Sequence, residues 1–184
     1  MKLSRKLAVV ALTLALSACA SSTVDQRRQE VLNMREDVLQ KFDVLKPDVR
    51  AQINHAVGYG VFSNANLTIL FGSVGGGRGV VRDNRTGLDT FMKMGELGVG
   101  LGLGIKDFRI VMVYHTAEVL ERFKEYGFAF SAQGDAAATI GDQGGALGGE
   151  APVENITVYQ ITENGLALQI TVKGTKFWLD EDLN

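Results

Sequence analysis

Two glycine clusters are the first residues whose spacing suggests chemistry. Gly72-Ser-Val-Gly-Gly-Gly-Arg-Gly79 and Gly98-Val-Gly-Leu-Gly-Leu-Gly104 could bring backbone N–H groups close to a phosphate, as glycine-rich loops do. The first has no Lys-Ser/Thr after it, so a Walker-type loop would lack both its phosphate lysine and its magnesium hydroxyl. The second does not lead from a strand into a helix with an acidic residue about 20 positions on, so the dinucleotide fingerprint lacks its setting. Gly98, Gly100, Gly102 and Gly104 instead alternate with Val99, Leu101, Leu103 and then Ile105. In a strand this puts a bare glycine row on one face and an apolar row on the other. Such a strip serves close packing or the approach of a ligand such as a lipid chain. Arg78, Arg82 and Arg85 are candidates to meet an anionic headgroup, and strand-edge charges that discourage aggregation would look the same.

Catalytic groups are sparse. The two histidines, His55 and His115, both stand beside expected element boundaries, where a histidine is more often a cap or a packed side chain than a general base. Asp135, Asp142 and Glu150 lie in or near glycine-rich segments, without the alternating-aspartate loop that marks a calcium site. Asp180-Glu181-Asp182 reads as a solvated charge cluster. No nucleophile, base and orienting group occur together, so the expectation is a chain without enzymatic activity, cofactor or metal.

The single cysteine, Cys19, allows no intramolecular disulfide and carries the most specific chemistry in the chain. Lys2, Arg5 and Lys6 form a basic n-region, and the apolar run from Leu7 to Leu16 is about half the roughly 20 residues a bilayer-spanning helix needs. The run ends in Leu16-Ser17-Ala18-Cys19, which resembles the bacterial lipobox. That resemblance implies cleavage before Cys19, a diacylglyceryl thioether on its sulfur and a fatty acid such as palmitate on the new amine. Several acyl chains anchor stably where one does not. Ala20 and Ser21 follow, and the lack of aspartate at the second position resembles outer-membrane sorting, with the body facing the periplasm. Removing the first eighteen residues takes the basic count from 19 to 16 against 21 acidic residues, a formal charge of −5. A mildly acidic protein lacks the basic surface that nucleic-acid binding needs.

The elements that must position these residues fall into two compositional zones. Before Gly58 the chain of 184 residues has no glycine; the remainder holds all 22. Thr23-Val-Asp-Gln26 has capping-box spacing and opens an expected helix to about Val44, with Val24, Val31, Met34, Val38, Phe42 and Leu45 as its apolar stripe. Lys46-Pro47 ends it, and a second helix runs to about Ala56. The body reads as short strands: Gly60 to Phe62, Leu67 to Val74, a hairpin of Gly79 to Arg82 with Leu88 to Met94, and a hairpin of Gly98 to Ile105 with Phe108 to Tyr114 turning at Lys106-Asp107. Thr116 caps a helix from Ala117 to Tyr126 that stops at Gly127. Extended segments follow from Phe128 to Ile140, then a glycine-rich loop from Gly141 to Pro152. Last comes a hairpin of Ile156 to Thr162 with Leu166 to Val172 across Asn164-Gly165.

The order Ala56-Val-Gly58-Tyr-Gly60-Val-Phe62, then Gly72 to Gly79 with two valines after it, then Leu103-Gly104-Ile-Lys-Asp-Phe-Arg-Ile-Val-Met-Val-Tyr114 before the Ala117 helix, resembles the SYLF domain family. Gly134-Asp135-Ala-Ala-Ala and the stretch from Gly165-Leu166 to Gly174 agree. Ser63 in place of a frequent proline, Leu88-Asp-Thr-Phe91 in place of a tryptophan-containing stretch, and Gln169 in place of a glycine depart from the pattern. The resemblance covers about Pro47 to Asn184 and implies a phospholipid-binding domain without catalysis. The expected organisation is a signal peptide over 1–18, a lipidated tether and amphipathic helix over 19–46, and a SYLF-like domain over 47–184. The expected fold is α+β, a curved, largely antiparallel sheet that could close as a barrel, with the N-terminal helix and the Ala117 helix packed on it. Membrane phospholipid is the expected partner, through acylated Cys19 and through the domain. The alternative is a structural lipoprotein in which the anchor alone touches lipid and the body binds an envelope protein.

Overall fold

The computed structural model describes residues 22–130, 150–153, 155–162, 165–166 and 175–184; within these, side chains are described outside 66–73, 97–107, 128–130, 150–153 and 165–166. The fold is α+β. Helix α1, Val24–Leu45, begins with the full capping box: the Thr23 hydroxyl accepts from the Gln26 N–H, and the Gln26 amide oxygen accepts from the Thr23 N–H at 2.8 Å. Its buried residues are Val31, Val38, Leu39 and Phe42, while Val24 and Leu45 at its ends are exposed. Helix α2, Asp48–His55, follows Pro47 and buries Val49 and Ile53, one helical turn apart. Helix α3, Ala117–Tyr126, is capped by Thr116 and ends at Gly127, whose φ of 65° is available to glycine without the Cβ penalty. A Cβ on Gly127 would also run into the Phe177 carbonyl.

The described strands are β1 (Gly58–Asp83), β2 (Asp89–Tyr114), β3 (Phe128–Phe130), β4 (Glu150–Val153), β5 (Ile156–Thr162), β6 (Gly165–Leu166) and β7 (Thr175–Leu179). All pairings are antiparallel. β1 takes one edge of β2 along its length, while β7 and β5 pair with the two ends of β2 at Met92–Glu96 and Phe108–Tyr114. β3 lies beyond β7 and β4 beyond β5; these two end the path without pairing to each other, so the described sheet is curved but not closed into a barrel.

Two departures from the sequence expectation have one cause. The separate strands and the turn at Lys106-Asp107 are replaced by two continuous strands of 26 residues each, with Lys106 opposite Asn66 and Asp107 opposite Ala65. Glycines and polar pairs interrupt a hydrophobic pattern but not a hydrogen-bond ladder, and each strand receives its register from the other. The one turn of this ribbon is the Asp83-to-Asp89 corner, where Gly87 has φ 72° and the Asp83 carboxylate accepts from the Arg85 N–H. At the chain's other end, Glu150–Val153 is strand rather than loop, and Pro152 is accommodated because β4 is the outermost of the described strands on its side.

β1 also folds back on itself. A Cβ on Gly58 would lie 2.6 Å from the Arg82 carbonyl; one on Gly79 would meet Val61 and Phe62, one on Gly77 would meet Ser63, and one on Gly75 would lie 2.9 Å from the Asn64 amide nitrogen. Each contact joins positions placed symmetrically about Leu70, next to the register shift between Leu70 and Gly72. The inward positions are even-numbered before the shift (Gly58, Gly60, Phe62, Asn64) and odd-numbered after it (Gly75, Gly77, Gly79, Val81).

The inner core consists of Phe62, Val81, Met92, Met94, Phe108, Ile110, Met112, Tyr114, Ile156, Val158 and Phe177, closed by Leu120 and Phe123 of α3. Phe62 meets Phe177 edge-on at 4.8 Å between centroids, an arrangement that favours the ring quadrupoles. On the outer face the C-terminal half of α1, with α2, covers Val61, Val111, Val113, Tyr159 and Ile161. The N-terminal part of α1 covers Val80 and Phe91 through Val31, with Leu183 beside it. The helix therefore crosses the strands and ends its approach beside the C-terminal segment, where the Arg28 Nε–H donates to the Leu183 carbonyl at 2.8 Å.

Candidate functional site

The glycine row is placed by its backbone. Gly98, Gly102 and Gly104 stand opposite Ser73, Leu70 and Thr68, and Gly100 falls at the register shift. The side chains of Val99, Leu101, Leu103 and Ile105 lie outside the described residues, as does Cys19. The upstream cluster is not a loop. Gly75, Gly77 and Gly79 are strand positions held against the other half of β1, whereas Gly76 faces outward with nothing within 4 Å of a Cβ built on it.

The three arginines are not gathered at one site. Both oxygens of Asp89 serve Arg82, at 2.6 Å each, and Asp89 also accepts from Arg35 of α1 at 3.2 Å. Arg85 reaches the Asp83 carboxylate at 2.8 Å and Glu121 of α3 at 2.6 Å. That guanidinium lowers the buried Asp83 carboxyl to about 2, chiefly by direct hydrogen bonding, and Arg85 is correspondingly raised. These two arginines tie the corner of the ribbon to α1 and α3. Arg78 is held loosely, with its Nε 4.0 Å from Asp180, and its side chain is 47% exposed.

Arg78 belongs to a different constellation, on the outer face that α1 leaves uncovered. Residues paired across an antiparallel ladder share a face. Val80 and Phe91 define this side as the outer one, so the rows Arg78–Lys93–Trp178 and Gly76–Gly95–Lys176 lie on it, with Val74 beyond. The indole of Trp178 lies over Gly95, 3.1 Å from where a Cβ would be, and remains 39% exposed; Val74 is 57% exposed. Lys93 reaches Asp180 at 2.9 Å and Asp182 at 3.0 Å. Hydrogen bonds to these two carboxylates raise Lys93 and lower Asp182 from their ordinary values. Arg27 of the first turns of α1 also acts on Asp182. The exposed face around Trp178 thus adjoins the start of α1.

A second surface feature is a shallow, open depression of about 440 Å3 lined by Asp37, Gln40, Lys41, Val44 and Leu45 at the far end of α1.

No family model matches this chain. It is similar to Beta cell expansion factor A of Aeromonas veronii, with 26% identity over 164 residues, an alignment that takes in 88% of this chain and 60% of that protein. The chain thus spans about three-fifths of the length of the curated relative that it matches.

The histidines are occupied locally. His55 Nδ1 lies 2.7 Å from the Ala51 carbonyl oxygen, and His115 Nε2 lies 2.7 Å from the Thr157 hydroxyl. Among the described residues, no group of three or more His, Cys, Asp or Glu side chains could hold a metal. Of the acids considered for a cation, Asp135 and Asp142 lie outside the described residues, and Glu150 is placed by its backbone opposite Tyr159. Among the described residues, no helix is long and apolar enough to cross a membrane. Sequence reasoning missed Trp178 with Gly76 and Gly95. The available signal was the alternation of Lys176 and Trp178 with Phe177, which marks a strand with one wet face.

Proposed function

We propose that this chain is a non-enzymatic bacterial envelope lipoprotein, held on the periplasmic side of the outer membrane by an acylated Cys19, whose domain binds phospholipid. The observation that carries the reading is the series of basic n-region, apolar run and Leu16-Ser-Ala-Cys19, followed after four residues by the capped start of α1. A tether that short keeps the body at the bilayer surface. The resemblance to the SYLF family supports a lipid contact by the domain itself, and the likeness to a protein of Aeromonas veronii agrees with a bacterial setting.

Two measurements test the reading. Radiolabelled palmitate is expected to enter the wild-type chain and not Cys19→Ser; equal labelling of both would remove the anchor. The unacylated Cys19→Ser protein is expected to bind anionic liposomes at low salt, and no binding there would sink the domain's own lipid contact. A second reading, in which the anchor alone meets lipid and the body binds an envelope protein, is favoured by one observation: Arg82 and Arg85 are already committed to carboxylates within the fold. Crosslinking that captures one envelope protein, with liposomes capturing nothing, is the result expected of it.

A further inference from the structure

Two surfaces compete for contact with a bilayer, and they lie at opposite ends of α1. One is the outer face around Trp178. The other is the exposed pair Val44 and Leu45, with the depression beside them, and Val44 is 82% exposed. The anchor decides between them. Cys19 precedes the N-cap Thr23 by four residues, and a fully extended chain covers at most about 3.6 Å per residue, so the acylated residue lies within ~14 Å of the start of α1. At a rise of 1.5 Å per residue, Val44 lies about 30 Å further along the helix axis. From the start of α1 the contacts lead directly to the other surface. Arg28 donates to the Leu183 carbonyl, Asp182 accepts from Lys93, and Lys93 is the ladder partner of Trp178.

We propose that the outer face formed by β1, β2 and β7 beside the start of α1, carrying Trp178, Val74, Gly76 and Arg78, is the surface that lies against the phospholipid bilayer. The proposal rests on the anchoring reading above and assigns the face that it leaves open. The residues suit the position. An indole prefers the headgroup level, where its ring is in an apolar layer and its N–H is wet. Gly95 lets the ring lie down on the sheet, and Gly76 beside it keeps the surface flat. Arg78 and Lys176, both exposed on this side, can extend their charged ends to phosphates while their stems remain in the apolar layer. Val74 supplies exposed apolar surface at the edge of the patch.

Trp178 is the only tryptophan in the chain, so the wild-type protein reports on its own face. The acylated protein is reconstituted on vesicles of phosphatidylethanolamine and phosphatidylglycerol doped with a lipid brominated along its acyl chain. Vesicle association is read by co-sedimentation and burial of the indole by fluorescence. The expected result is co-sedimentation, a blue shift relative to soluble Cys19→Ser, and roughly twofold quenching, as befits an indole at the headgroup level. A second reporter, Val44→Trp in a Trp178→Phe background, is expected to sediment equally and to stay unquenched. Co-sedimentation with an unquenched Trp178 overturns the face assignment and leaves the anchor standing. Quenching at both positions also overturns it, because the domain would then have no single bilayer face. Failure of the acylated protein to sediment sinks the anchoring reading, and the face assignment with it.

Discussion

Gly76 and Gly77 are neighbours in one strand, yet alanine at the two positions should have opposite effects. A Cβ on Gly77 would overlap the Ser63 carbonyl and lie 2.9 Å from both the Asn64 Cα and Met94 Cγ, whereas a Cβ on Gly76 meets nothing within 4 Å. Met94 can rotate aside, but the Ser63 carbonyl and Asn64 Cα belong to the other half of β1 and cannot move without parting the two halves. Overpacking a core typically costs ~1–3 kcal/mol, and the upper part of that range applies because the obstacle is backbone. At Gly76 the substitution only narrows the freedom of the unfolded chain, a gain of about 0.5 kcal/mol. In a chain of this size each kcal/mol moves Tm by about 2–4 °C. Gly77→Ala should therefore melt roughly 5–10 °C below the wild type and Gly76→Ala level with it or slightly above, in thermal melts of the Cys19→Ser protein followed by Trp178 fluorescence. Alanine's strand propensity is common to both, so the difference isolates the packing. Equal melting temperatures, or a larger loss at Gly76, would falsify the account of β1 folding back upon itself.

Asp83 sets an acid limit on the ribbon corner. Its folded value of about 2 lies below the ordinary 3.8, so its contribution is fully present above pH ~3.8 and is lost as pH falls through about 2. Arg85→Gln should move the carboxyl back toward 3.8, visible as an NMR titration midpoint displaced to higher pH, and should weaken the corner already at neutral pH; an unchanged Asp83 midpoint would contradict the pair. Thr23→Ala removes the hydroxyl of the capping box and should cost about 1 kcal/mol, with faster hydrogen exchange confined to the first turn of α1. Exchange spreading to Val38–Phe42 would show that the start of α1 holds more of the fold than its cap.

The helices were legible because their signals are local. Thr23 with Gln26, Pro47, and Thr116 with Gly127 each act within a few residues of themselves, and each stands where its chemistry places it. The ribbon was less legible. Lys106-Asp107 looks like a turn, and the glycine clusters look like interruptions, until the opposite strand is present to complete the ladder. Arg82 and Arg85 show the same limit at a candidate site: Arg82 shares the Asp89 carboxylate with Arg35 of α1, and Arg85 reaches Glu121 of α3, and no local pattern places either of these helices beside the corner.

By itself the sequence determined the three described helices with their start and stop signals, the β character of the body and the absence of a recognisable phosphate loop, all consequences of residue type and short-range spacing. Only the tertiary structure decided what each glycine is for. Gly75, Gly77 and Gly79 face the other half of their own strand, while Gly76 between them faces outward, because a one-residue register shift sets which parity points inward. Tertiary packing likewise brought the face around Trp178 of the C-terminal strand to the start of α1, more than a hundred residues away in the chain, through the contacts of Arg28 with Leu183 and of Lys93 with Asp182.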